Sequence, residues 1–184
     1  CWDYGNLPEV IMGDRLDFTG ICPHQQWSSS LNLYPLYVGM LGLETEGLGG
    51  KMTLAPAFPA DWSWANVDNI SVGEHRVSLR YERTEDHYRY ELNASGKVEA
   101  DFVARLPLAT TVEGVWIDGR KVEEYEVVEE LQCVAVGLPR MALRGAKEIE
   151  VAYRGGVGVM LNLPEAKIGM ADRGVKINRE SYNP

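Results

Sequence analysis

The hydrophobic pattern of this chain changes period near residue 50. Before it, Trp27, Leu31, Tyr34, Val38 and Leu41 recur at steps of four and three, the spacing of one helical face. Gly42 followed by Leu43 suits a left-handed glycine just past a helix end, with its apolar partner one residue on. Pro35 interrupts the pattern; it removes a backbone donor and should kink the helix or split it in two. The only long helix is therefore expected between residues 24 and 43. Residues 1–26, with glycines at 5, 13 and 20 and prolines at 8 and 23, read as a long loop of the kind that carries function.

Beyond residue 50 the runs are short and often alternate. Met52–Leu54, Ile70–Val72, Val77–Tyr81, Tyr88–Leu92, Val98–Val103, Val112–Ile117, Tyr125–Val128, Cys133–Val136 and Ile149–Tyr153 are strand candidates. Turn chemistry bounds most of them, at Asn93-Ala94-Ser95-Gly96, Asp118-Gly119 and Gly155-Gly156. In VSLRYER, Val77, Leu79 and Tyr81 share one face and Ser78, Arg80 and Glu82 the other. Strands at this spacing without intervening helices predict a mainly β fold, an antiparallel sandwich. Residues 157–184 carry little periodicity beyond VGVMLNL and read as an extended tail.

Composition narrows the partners. With 18 Lys and Arg against 27 Asp and Glu, the net charge of −9 would repel a phosphate backbone or an anionic membrane surface. No apolar run approaches the roughly 18 residues of a membrane span. The chain starts at Cys1 rather than Met, inside what looks like a motif. Processing or truncation is expected, with any targeting segment upstream. Cys1, Cys22 and Cys133 are too few for a disulfide framework and read as buried free thiols, a Cys1–Cys22 bridge being the alternative, and no metal-ligand spacing appears. Neither a metal nor an organic cofactor is expected. Sequons at Asn69 and Asn93 are short enough to arise by chance.

Two segments could carry chemistry. In GNLPEVIMGD, Glu9 follows a proline that fixes its own φ and extends Leu7, so the approach to the carboxylate is stiffened. Such a group could activate water as a general base; it could equally be a solvated loop glutamate. In CPHQQWSSS, His24, Gln25 and Gln26 offer polar donors and acceptors, and Trp27 offers a flat apolar face, a mix that suits a sugar. The plainer account is a helix N-cap at Ser28 or a neighbour, with a core tryptophan. His75 and His87 read as surface residues.

Taken in order, LPEVIMGD, CPHQQWSSSLNLYPLYVGMLGLE and LAPAFPADWSWANVDNISVGEHRVSLRYER resemble the C-terminal part of the six-hairpin glycosidases. The likeness is nearest to the amylo-alpha-1,6-glucosidase (debranching-type) group, with the alpha-rhamnosidase-like group next. It covers about residues 5–82, and each piece alone is weak. Cys22, Gln25 and Trp27 match a Cys-x-x-Gln-x-Trp segment that opens the last barrel helix. Val10, Ile11, His24 and Gln26 depart from the commoner residues of that pattern.

The resemblance implies an (α/α)6 barrel ending over residues 1–50, a β-sandwich over 51–156 and a tail over 157–184. It implies that Glu9 is a catalytic carboxylate, the general base, in a concavity near Trp2, His24, Gln25 and Trp27 that binds an α-linked oligo- or polysaccharide. The acid and the upstream barrel would lie outside this chain, leaving it inert alone. A homo-oligomer is compatible with the pattern. The alternatives are a non-catalytic carbohydrate-binding sandwich, which an aromatic row on one sheet face would favour, and a structural sandwich supporting a barrel. Trp62, Trp64 and Trp116 are the aromatics available for such a row, although Trp62 and Trp64 fall in a connection that reads as junction packing.

Overall fold

The VSLRYER alternation folds as it reads: Val77, Leu79 and Tyr81 are buried, and the strand extends over His75–Arg83. This is β4 of ten strands in the computed structural model, which describes residues 26–59 and 62–157. The others are β1 (Glu44–Glu46), β2 (Lys51–Leu54), β3 (Trp64–Val72), β5 (His87–Leu106), β6 (Leu108–Ile117), β7 (Arg120–Lys121), β8 (Glu126–Glu129), β9 (Val134–Gly137) and β10 (Met141–Val157). Described residues are mainly β, and the pairings are antiparallel except that β2 runs parallel to β5.

The architecture turns on β5. Its first half pairs with β4 on one side and β10 on the other, Ala94 standing opposite Val77 and Gly145. Its second half pairs with β2 from Glu99 to Phe102, and with β9 from Val103 to Leu106. The β4 pairing ends at Ala94, whereas β10 follows β5 through the bend, Leu143 standing opposite Val98 and Met141 opposite Ala100. In a straight strand Tyr90 and Phe102 would stand about 40 Å apart. Their ring centroids are 4.9 Å apart, so β5 folds over and passes from one layer into the other. The ten strands form one continuous hydrogen-bonded sheet folded on itself: one layer holds β3, β4, β6 and β7 with the first half of β5 and most of β10, the other holds β1, β2, β8 and β9 with the second half of β5 and the start of β10.

Both halves of β5 turn their even-numbered residues inward. Tyr88, Tyr90, Leu92 and Ala94 from one half, and Val98, Ala100, Phe102, Ala104 and Leu106 from the other, enter a single core. Leu54, Leu79, Leu143, Ile149 and Val151 fill it from neighbouring strands. A chain of aromatic rings threads the same core: Phe58 stacks on Tyr81 at 4.6 Å, and Tyr88 meets Tyr153 at 5.1 Å. The result is an antiparallel β-sandwich, as the alternation predicts.

Two expected turns prove different. Asn93-Ala94-Ser95-Gly96 lies inside β5, because the strand bends into the second layer instead of reversing. Gly155 and Gly156, with φ of +76° and +102°, lie within β10, where Gly155 still pairs with Thr110. Asp118-Gly119 does form the β6–β7 hairpin, both residues taking positive φ as a two-residue turn of primed type demands.

Tyr37–Gly158 forms one compact unit. Of the other, the structure describes Gln26–Leu36. Here α1 (Gln26–Tyr34) gives way to a π-helical stretch, Pro35–Met40, the break falling at the proline that lacks an N–H. Trp27, Leu31, Tyr34 and Val38 are exposed. Leu41, the fifth residue of the helical stripe, is buried in the sandwich core, and Ala55 N–H donates to its carbonyl at 2.9 Å. The break at Pro35 is the one its missing N–H predicts, and the helical stretch ends at Met40, short of the expected residue 43. The tail from residue 158 lies outside the described residues.

Candidate functional site

Of the residues the sequence singles out for chemistry, Glu9, Trp2, His24 and Gln25 lie outside the described residues. Trp27 stands in the first turn of α1 and is 72% exposed, not a core side chain. Cys133 is a free, partly buried thiol whose Sγ donates to Glu130 at 3.3 Å; burial first, then the carboxylate, pushes its pKa up. Among the described residues no group of His, Cys, Asp and Glu could hold a metal, and no helix is long and apolar enough to cross a membrane.

The concave, polar part of the sandwich is the outer face of the β3–β7 sheet. Since Ala65, Tyr81, Tyr90, Ile149 and Val115 point inward, their strand neighbours point out. Register then builds a row across six strands: Trp64 opposite Glu82, Glu82 opposite Arg89, Arg89 opposite Glu150, Glu150 opposite Trp116, and Trp116 opposite Lys121. An indole closes the charged middle of the row at either side.

The charged groups hold one another. Arg89 donates to Glu150 at 2.9 Å, which holds its guanidinium pKa above the ordinary value. Arg80 donates from Nε to Glu82 at 3.1 Å. His87 lies between Asp86, at 2.8 Å, and Glu150, at 3.5 Å. Hydrogen bonds from His87 and then Thr84 keep the Asp86 carboxyl below the usual range.

Trp64 is 66% exposed and lines a concavity of about 410 Å³ together with Ser63, Asn66, Arg80, Glu82 and Thr84. A second concavity, of about 400 Å³, is lined on the same face by Asp68, Asn69, Ser78 and Asn93. Both sequon asparagines, Asn69 on β3 and Asn93 on β5, are therefore exposed, with β4 between their strands. Trp116 is seated differently. A Cβ at Gly114 would fall 2.6 Å from its Cη2, so the six-membered ring sits against the bare glycine two residues before it.

Trp62 stands apart from this row: it is 42% exposed and stacks on Phe58 at 6.2 Å, at the surface end of the aromatic chain. Sequence reasoning placed Arg80 and Glu82 on the polar side of their strand but missed Trp64 as its neighbour. Local pattern starts the strand at Ile70, since Asp68 and Asn69 look like loop residues. In the structure they form a bulge within β3, where Asn69 takes φ +61° and the register shifts between Val67 and Ile70.

No protein-family model matches the sequence, and no curated protein matches it. Among solved structures the chain is similar to an alpha-L-rhamnosidase from Dictyoglumus thermophilum, with 17% identity and a TM-score of 0.49. The match covers 76% of this chain and 16% of that one, so the chain spans a small part of that protein's length. A likeness at this level carries no argument about activity.

Proposed function

We propose that this chain is the C-terminal part of a glycoside hydrolase acting on α-linked saccharides with inversion, and that Glu9 is its general base. The observation that carries the reading is the order of three segments along residues 5–82: a stiffened LPE loop, a Cys-x-x-Gln-x-Trp helix entrance, and a strand-rich unit after a glycine-ended helix. The position of Gly42 and the strands from Glu44 onward are compatible with it.

An inverting enzyme needs a protonated carboxyl on the leaving oxygen and a carboxylate that activates water on the opposite face, roughly 6.5–9.5 Å away. Glu9 would serve as the second group. The acid and most of the pocket belong to an upstream barrel, a partner in the same protein. Trp2, His24, Gln25 and Trp27 would surround the sugar beside Glu9, the indoles under ring faces and the amide and imidazole at hydroxyls.

The test is Glu9→Gln in the protein that includes the upstream barrel. The variant keeps shape and hydrogen bonding but cannot accept the proton. Turnover should fall by about 10²–10⁴-fold with substrate binding retained, as loss of a positioned base requires. Azide should restore turnover and give a product of altered anomeric configuration. Hydrolysis within a few-fold of the parent rate would rule Glu9 out as base.

A further inference from the structure

We infer that the outer face of the β3–β7 sheet is a contact surface for a neutral oligosaccharide, with Trp64 and Trp116 as its two ring platforms. The inference does not depend on the role of Glu9. It rests on the cross-strand row that runs from Trp64 through Glu82, Arg89 and Glu150 to Trp116.

The two indoles are presented in ways a pyranose can use. Trp64 is largely exposed at the rim of a polar concavity, and half-buried Trp116 rests its six-membered ring against the sheet where residue 114 is a glycine. Four strand spacings separate them, on the order of 19 Å. That span fits a chain of several sugar rings better than a single monosaccharide. Between the platforms stand carboxylates and guanidinium groups, with the Asn66 amide beside Trp64 on β3, and these donate to or accept from hydroxyls. Ion pairs such as Arg89–Glu150 already fix these groups, so little side-chain freedom is lost when a sugar arrives.

The same features argue against other ligands. A protein interface places its aromatics in a core depleted of charge, whereas here the centre of the row is fully charged. Arg80 stands opposite Glu91, and Arg89 between Glu82 and Glu150, so the cations at the centre of the face are already matched by carboxylates. An acidic polysaccharide or a nucleic acid would meet like charge, in keeping with the chain's net −9.

Affinity gel electrophoresis of the whole 184-residue chain tests this, with glycogen, arabinoxylan and xyloglucan as neutral probes and polygalacturonate as the acidic one. At least one neutral polysaccharide should retard the chain, and polygalacturonate should not. Trp64→Ala and Trp116→Ala should each weaken that retardation by about fivefold or more, as loss of an anchoring aromatic does. Leu131→Ala, at a 92% exposed apolar residue in another part of the surface, should leave it unchanged. Far-UV circular dichroism and thermal melting confirm that each variant is folded. If Trp116→Ala unfolds, Trp116→Leu, which keeps an apolar cover on Gly114, takes its place with the same expectation. The inference is overturned if no neutral probe retards the chain, if polygalacturonate retards it most, or if either tryptophan can be replaced without effect. Its readout is binding, so it fails or stands separately from the turnover test on Glu9.

Discussion

At Gly42 the backbone takes φ +53°, and a Cβ there would lie 2.7 Å from both the Cβ and the carbonyl oxygen of Ala55. The glycine is needed twice over. It ends the helical stretch in a left-handed turn, with Leu43 N–H donating to Tyr37 O at 2.8 Å, and it lets the segment before β2 pass close. Gly42→Ala must meet both the backbone strain and the clash, and should destabilise the sandwich by about 2–4 kcal/mol. Urea unfolding of the variant against the parent measures this. A loss under 1 kcal/mol, within the usual range for glycine to alanine, would mean that the close approach relaxes freely.

Among the elements, β4, β5 and β10 bring four tyrosines together. Burial raises the pKa of Tyr81, Tyr88, Tyr90 and Tyr153, with like-charged neighbours adding to the effect for Tyr81, Tyr90 and Tyr153. Tyr153 is also tied down, its hydroxyl donating to Thr84 O at 3.0 Å. In the unfolded chain these hydroxyls ionise near pH 10. Below that, both states keep their protons and stability is complete. Above it, the unfolded chain releases protons that the folded chain retains, and stability falls as pH continues to rise. The urea midpoint should be flat up to about pH 9.5 and then drop steeply, less steeply in Tyr81→Phe. A midpoint that holds to pH 11 would contradict this account.

The same elements show what the sequence could and could not disclose. β4 was legible because its alternation is uninterrupted, and the split at Pro35 followed from a missing N–H. The union of two strand candidates into β5 was not legible. Asn93 to Gly96 has turn composition, and only long-range partners on both sides keep it extended through the bend. Trp64 was hidden behind the polar bulge of β3. The row that joins it to Trp116 depends on register among strands distant in sequence, which local pattern does not encode.

For the molecule as a whole, the unit Tyr37–Gly158 contains all ten strands and a single core joining both layers. Expressed alone, residues 37–158 should give the far-UV spectrum of a β protein and unfold in one cooperative transition with coincident circular dichroism and tryptophan fluorescence. Two resolved transitions, or a spectrum without β signal, would show that residues outside it are needed for folding. The charged outer face and the acidic balance of the chain also set what it attracts at a distance. Steering toward cations and away from polyanions should weaken as salt rises.

The fold's central strand is also the last among the described residues. β10 pairs with β5 on one side and β6 on the other, and its residues begin only at Met141. On the ribosome, β2 to β6 must therefore wait with two unpaired strand edges until β10 has emerged. Folding of this unit is a closing event rather than a progressive one, slow for its size because its pairings are so distant in sequence. During that wait the nascent chain is most exposed to edge-to-edge association, and chaperone demand should be concentrated there.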